Sequence, residues 1–180
     1  MRSLIAIFLS FLFTFSLGFA RKVEDWSYER LFNEADLVMI GSVQGWGSAK
    51  AEWPEKIFDK LRFEAEMTAF HPLSQLKGEA PLPCIWVLHF SYKKGAIPYE
   101  DGPGLVTFLK KPMIVEVKSK EEEEAKELKL KRTGKSLVSS PEYLLFLKER
   151  KDGNYEPVSG QLDAAFSVRA IFPSGVIKIP

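Results

Sequence analysis

Leu61-Arg62-Phe63-Glu64-Ala65-Glu66-Met67-Thr68-Ala69 decides the fold class. Leu61, Phe63, Ala65, Met67 and Ala69 alternate with Arg62, Glu64, Glu66 and Thr68, and a strand turns successive side chains to opposite faces. One face is apolar and the other wetted, as in an antiparallel strand packed on one side. His71-Pro72 reads as the stop of this strand and Leu76-Lys77-Gly78 as a turn. Upstream, Leu37-Val38-Met39-Ile40-Gly41-Ser42-Val43 reads as a first strand. Before it, residues 25–34 read as a short helix with Trp26, Leu31 and Phe32 on its apolar side and Asp25 or Ser27 as cap. Residues 44–60 read as a connection that carries Trp46 and Trp53, with Gly45, Gly47 and Pro54 as breakers.

Downstream, residues 84–92 form a third expected strand, and short β segments follow at 105–109 and 114–117. A charged excursion occupies 118–135. Glu122–Lys126 and Glu127–Lys131 there are favourable i,i+4 helix pairs, whereas alternating Leu128 and Leu130 suit extended chain, so helix and loop both stand. Tyr143-Leu144-Leu145-Phe146-Leu147 is a strong strand, Lys151-Asp152-Gly153-Asn154 a hairpin turn, and 155–158 the returning strand. Strand-like pieces at 166–171 and 176–179 close the chain. The order is β-β-β-α-β-β. It implies a mainly β fold with one or two short helices, a small Greek-key OB-like barrel, with a β-sandwich as the alternative.

The chain has 180 residues, 25 basic and 24 acidic. Its first twenty residues differ from the rest: Met1-Arg2 is a short basic start, 4–17 is almost wholly apolar, and Gly18-Phe19-Ala20 sets small residues at the −3 and −1 positions of a cleavage site. The apolar run is shorter than the ~20 residues a spanning helix needs. A signal peptide at 1–20, cleaved after Ala20, is therefore expected, leaving one domain at 21–180 that is exported to the periplasm or beyond, with no stable membrane insertion. Without Arg2 the charges balance, which argues against a nucleic-acid binder. Cys84 is the single cysteine, excludes an internal disulfide, and reads as a small buried hydrophobe in an apolar run.

Ala35-Asp36-Leu37-Val38-Met39-Ile40-Gly41-Ser42-Val43 resembles the opening strand of the netrin-like module found in tissue inhibitors of metalloproteinases. The strand that ends in Leu76-Lys77-Gly78 is similar to that module too, as is Glu142-Tyr143-Leu144-Leu145-Phe146 followed by Asp152-Gly153-Asn154-Tyr155. The resemblance spans about residues 30–160 and implies an OB barrel preceded by an N-terminal segment. In those inhibitors a mature N-terminal cysteine binds the protease zinc. Here that position is Arg21, so the resemblance implies the scaffold of a cysteine-poor exported bacterial-type relative of unassigned activity, and the inhibitory segment does not carry over.

Chemistry-bearing patterns are sparse. His71 and His89 are the only histidines, no Gly-x-Ser-x-Gly elbow occurs, and these two with Cys84 make no familiar zinc spacing. Glu64 and Glu66 share a strand face, as charged residues on wet β surfaces commonly do. Phosphate-loop and dinucleotide fingerprints are missing. No catalytic, cofactor or metal residue is assigned, and no cofactor is expected. The expected function is a monomeric, non-catalytic binding module whose partner is a protein or envelope component. A small secreted or periplasmic hydrolase and a structural envelope protein are the alternatives. Recognition in OB-folds concentrates on strands 2–3 and on the 1–2 and 4–5 loops. Mapped here, the loops are 44–60 and 149–155, which makes Trp46, Trp53, Lys151 and Asn154 the candidate contacts.

Overall fold

The computed structural model describes residues 21, 23–109, 113–116, 136–139, 141–171 and 176–178. The expected signal peptide at 1–20 and the whole charged excursion at 118–135 lie outside them. Ser27 caps a helix, α1 (Tyr28–Glu34), its Oγ accepting from the Arg30 amide. The strands follow as β1 (Leu37–Ser48), β2 (Phe63–Lys77), β3 (Ile85–Tyr92), β4 (Met113–Glu116), β5 (Ser136–Ser139), β6 (Glu142–Glu149), β7 (Tyr155–Pro157), β8 (Val168–Ile171) and β9 (Val176–Lys178). Their pairing order is β1-β2-β3-β7-β6, and β6 pairs back onto β1, so five strands close a barrel with β8 added outside on β6. This is an OB-like barrel; the sandwich alternative is excluded by the closing β1–β6 ladder. A separate three-stranded sheet has the order β5-β4-β9.

Alternation along each strand sorts the apolar side chains into three clusters. Leu37 and Met39 of β1, Phe70 of β2, Ile85 and Val87 of β3, Tyr143, Leu145 and Leu147 of β6 and Tyr155 of β7 fill the barrel. Val38 and Phe146 point outward and pack beneath α1 with Trp26, Leu31 and Ala35. Phe63, Ala65, Leu88 and Phe90 also point outward, and the connections after β1 and β3 cover them with Trp53, Phe58, Tyr99 and Leu105. The apolar face that decides the fold class is thus an outer face of the barrel, roofed by its own loops. Leu61 departs from it: it sits in a 3-10 turn before β2 and is exposed.

Two strands are longer than the sequence pattern suggests. β1 continues through Gly45, Trp46 and Gly47, and β2 continues past His71-Pro72 to Lys77. Pro72 is tolerated because β2 leaves β3 after Phe70↔Ile85 and from there pairs only with β1, so one edge needs no ladder donor. Register shifts within the β1–β2 ladder supply the bends that closing a small barrel requires. The expected strand at 105–109 is not paired in a ladder; it is irregular chain that delivers Val106 and Phe108 into the barrel core. Cys84 is half-buried just before β3 rather than fully enclosed.

Candidate functional site

All four tryptophans are described, and the fold divides them. Trp26 and Trp53 are buried, whereas Trp46 is 52% and Trp86 41% exposed. Trp53 stacks on Phe63 at 4.2 Å between ring centroids and meets Phe90 edge-on at 5.3 Å. It is 5% exposed, so the expectation that it contacts a partner is corrected: the ring is packing that roofs β2 and β3. Aromatic rings seek burial, and the apolar face of Phe63 and Phe90 supplies it.

Trp46 owes its position to a mismatch of strand lengths. β1 pairs with β6 only from Leu37 to Ser42 and then runs on beside β2 alone. Trp46 lies opposite Thr68, which itself lies opposite Val87, and directly paired residues share a face. That face is the barrel interior further down, but beyond Ser42 no β6 partner faces it. The neighbouring row runs Gly45, Ala69, Trp86 across β1, β2 and β3 on the outer surface. A Cβ added at Gly45 or Gly47 would meet nothing within 4 Å. Trp86 therefore stands beside a low shelf of glycine and alanine. Sequence reasoning missed Trp86, because the start of its strand is apolar on both faces and offers no polar neighbour to mark exposure.

The hairpin between β6 and β7 places Lys151 in the exposed turn and Asn154 half-buried at its end. Gly153 takes φ +78°, and the Arg150 amide donates to the Asn154 carbonyl at 2.8 Å. Lys151 lines a groove of about 400 Å³ with Lys148, Glu149, Arg150, Asp152 and Glu156. Arg150 is already shared between Glu156 at 2.9 Å and Asp152 at 3.3 Å. The Asn154 amide donates to Asp152 and lowers its carboxyl pKa, with Arg150 adding to the effect. The groove is internally charge-compensated. It adjoins the start of β3, because Tyr155, the residue after Asn154, pairs in parallel with Val87, which follows Trp86; Trp53 sits further along β3, over Phe63 and Phe90.

The two histidines are also separate. His71 is exposed, its Nδ1 donating to the Pro83 carbonyl at 3.0 Å. His89 is buried in β3 with Nε2 2.9 Å from Thr68 Oγ1 and its ring edge-on to Phe108. His71 follows Phe70, which pairs with Ile85, and His89 lies four residues further along β3, roughly 13 Å by strand rise. Glu66 faces His89 across the ladder, and the Ser91 hydroxyl donates to Glu66 at 2.9 Å. Ser91 thereby commits its proton to a carboxylate. Among the described residues no group of three or more His, Cys, Asp or Glu side chains could hold a metal ion, and no helix is long and apolar enough to cross a membrane. Compared with known proteins, the chain matches no family model, no curated protein and no solved structure.

Proposed function

We propose that the protein is an exported, non-catalytic binding module that engages a protein or envelope component through the β1–β2–β3 wall of its barrel. The observation that carries this reading is the row Gly45–Ala69–Trp86 on the outer face, together with Trp46, which faces the other side of the same wall where β1 runs on beyond its ladder with β6. A fold that buries two of its tryptophans leaves these two substantially in solvent. Exposed tryptophans beside small residues are the composition from which interface hot spots are built. The surface also differs from the usual OB arrangement, since the further part of the β2–β3 face is occupied by Trp53 and Phe58 from the chain itself. Recognition is thereby displaced towards the start of β3. On the netrin-like resemblance, this would be a relative that keeps the barrel scaffold and uses another surface.

The test is site-specific photo-crosslinking in the exporting cell, with the probe at position 86, 46 or 97. Ile97 is exposed on the far loop and serves as the control. A discrete adduct from 86 and 46, not from 97, is expected. Equal labelling from all three positions would remove the proposed surface. A second reading, a small hydrolase, draws on the polar group Glu66, Thr68, His89 and Ser91 at the barrel end. Ester or peptide hydrolysis that His89→Gln abolishes in a folded protein would replace the binding reading.

A further inference from the structure

Arg21 is tied to two loops far away in sequence. Its backbone nitrogen donates to Asp101 Oδ2 at 2.6 Å, and its guanidinium donates from Nη1 to Asp163 Oδ1 at 2.7 Å. The side chains of Arg21 and Asp163 are only 12% and 8% exposed. Nη2 lies 3.4 Å from the Gly102 carbonyl. The two loops are themselves clasped, the Gly104 amide donating to the Leu162 carbonyl and the Ala165 amide to the Gly104 carbonyl, each at 2.8 Å. Asp163 is fixed from behind: Ser159 Oγ donates to its carbonyl at 2.7 Å, and Ser159 contacts Ser167 at 2.6 Å. A preformed acidic seat thus holds both ends of one residue.

We infer that this seat is a docking site for the new N-terminus that leader removal creates at Arg21. The inference rests on the export reading above. In the precursor the Arg21 nitrogen is an amide, a neutral donor with one proton, and the guanidinium alone faces two carboxylates. Hydrolysis adds water across the Ala20–Arg21 bond, leaving a carboxylate on Ala20 and an ammonium on Arg21. Arg21 then carries two positive charges against Asp101 and Asp163, and the local charge balances. The hydrogen bond to Asp101 becomes charge-assisted, the stronger kind. Processing therefore tightens the clasp between the 101–105 and 159–165 loops, and the precursor keeps a looser fold that is easier to thread through an export channel.

The test uses the full chain with its leader, expressed in an export-competent host, in four forms. These are the natural sequence, Asp101→Asn, an alanine inserted between Ala20 and Arg21, and the two changes together. Intact mass of each recovered product reads its N-terminus. The insertion leaves every side chain of the seat in place and only moves the ammonium away. The natural product should begin at Arg21. Each single change should lower the melting temperature by about 2–4 °C, the effect expected of one modest ion pair in a chain of this size. The double change should cost no more than either single one. A product that starts at Arg21 but tolerates the insertion, or shows additive losses, overturns the docking site while leaving export intact. A product that starts elsewhere overturns both.

Discussion

Tyr143 shows how a single buried phenol can serve structure and pH response together. Its ring fills the barrel beside Phe70 and Phe108, and its oxygen accepts from the Leu109 amide at 2.8 Å. That bond pins the irregular chain carrying Phe108. Burial raises the Tyr143 pKa above the ordinary phenol value, with the Leu109 amide opposing in part. Burial likewise raises Tyr155, helped by the charges of Glu149 and Asp36. A raised folded pKa means that the stabilisation is complete below about pH 10 and is lost as pH climbs through the raised value. Tyr143→Phe should therefore cost about 1–3 kcal/mol at neutral pH, the penalty for stranding the Leu109 amide. It should also make the loss of stability above pH ~10 less steep. Denaturant titrations at neutral and alkaline pH measure both effects, and an unchanged alkaline slope would assign that limb to other groups. The tryptophans give a second residue-scale contrast. Trp53→Ala should lose about 3–5 kcal/mol by opening a cavity over Phe63 and Phe90, whereas Trp46→Ala should leave the melting temperature within about a degree or two.

At the scale of elements, helix α1 depends on its seat more than on its own propensity, because seven residues are too few to hold a helix in water. Phe146→Ala removes the floor on which Leu31 and Trp26 rest and should cost about 3–5 kcal/mol. Ser27→Ala removes only the cap and should cost about 1 kcal/mol. Near-equal losses in thermal unfolding would show that the cap, not the seat, holds the helix. The helix and most strands were legible in the sequence because their apolar period matches their geometry. The strand ends were not. Gly45, Gly47 and Pro72 read as breakers, yet each falls where a ladder has only one neighbour or a face has no cover. The site was legible in part. Trp46 and Trp53 look alike in a polar stretch, and only the unequal lengths of β1 and β6 and the fold-back of the 49–59 connection separate a solvent-facing ring from a roofing one. The Arg21 seat was illegible because its partners lie 80 and 142 residues away.

For the whole molecule, the question is where a closed barrel is weakest. Four of its five seams are antiparallel ladders, from three paired positions in β6–β7 upward. The fifth, between β3 and β7, is parallel and rests on one paired position, Val87↔Tyr155. Parallel strands pair slightly less stably per residue, and a single pair is a small fraction of any neighbouring ladder. Beside it, buried Gln161 donates from Nε2 to the Leu88 carbonyl at 3.1 Å and so bridges the segment after β7 back to β3. Gln161 acts as a side-chain rung where the backbone ladder runs out. Gln161→Ala should strand the Leu88 carbonyl at a cost of about 1–3 kcal/mol, and the effect should be local first. Native-state hydrogen exchange would read it as faster exchange in β7 and at the start of β3, with the β1–β2 ladder still protected to the global limit. Loss of protection spread evenly over all strands would mean that the seam opens only with the entire barrel, and that closure is held by the core rather than by Gln161.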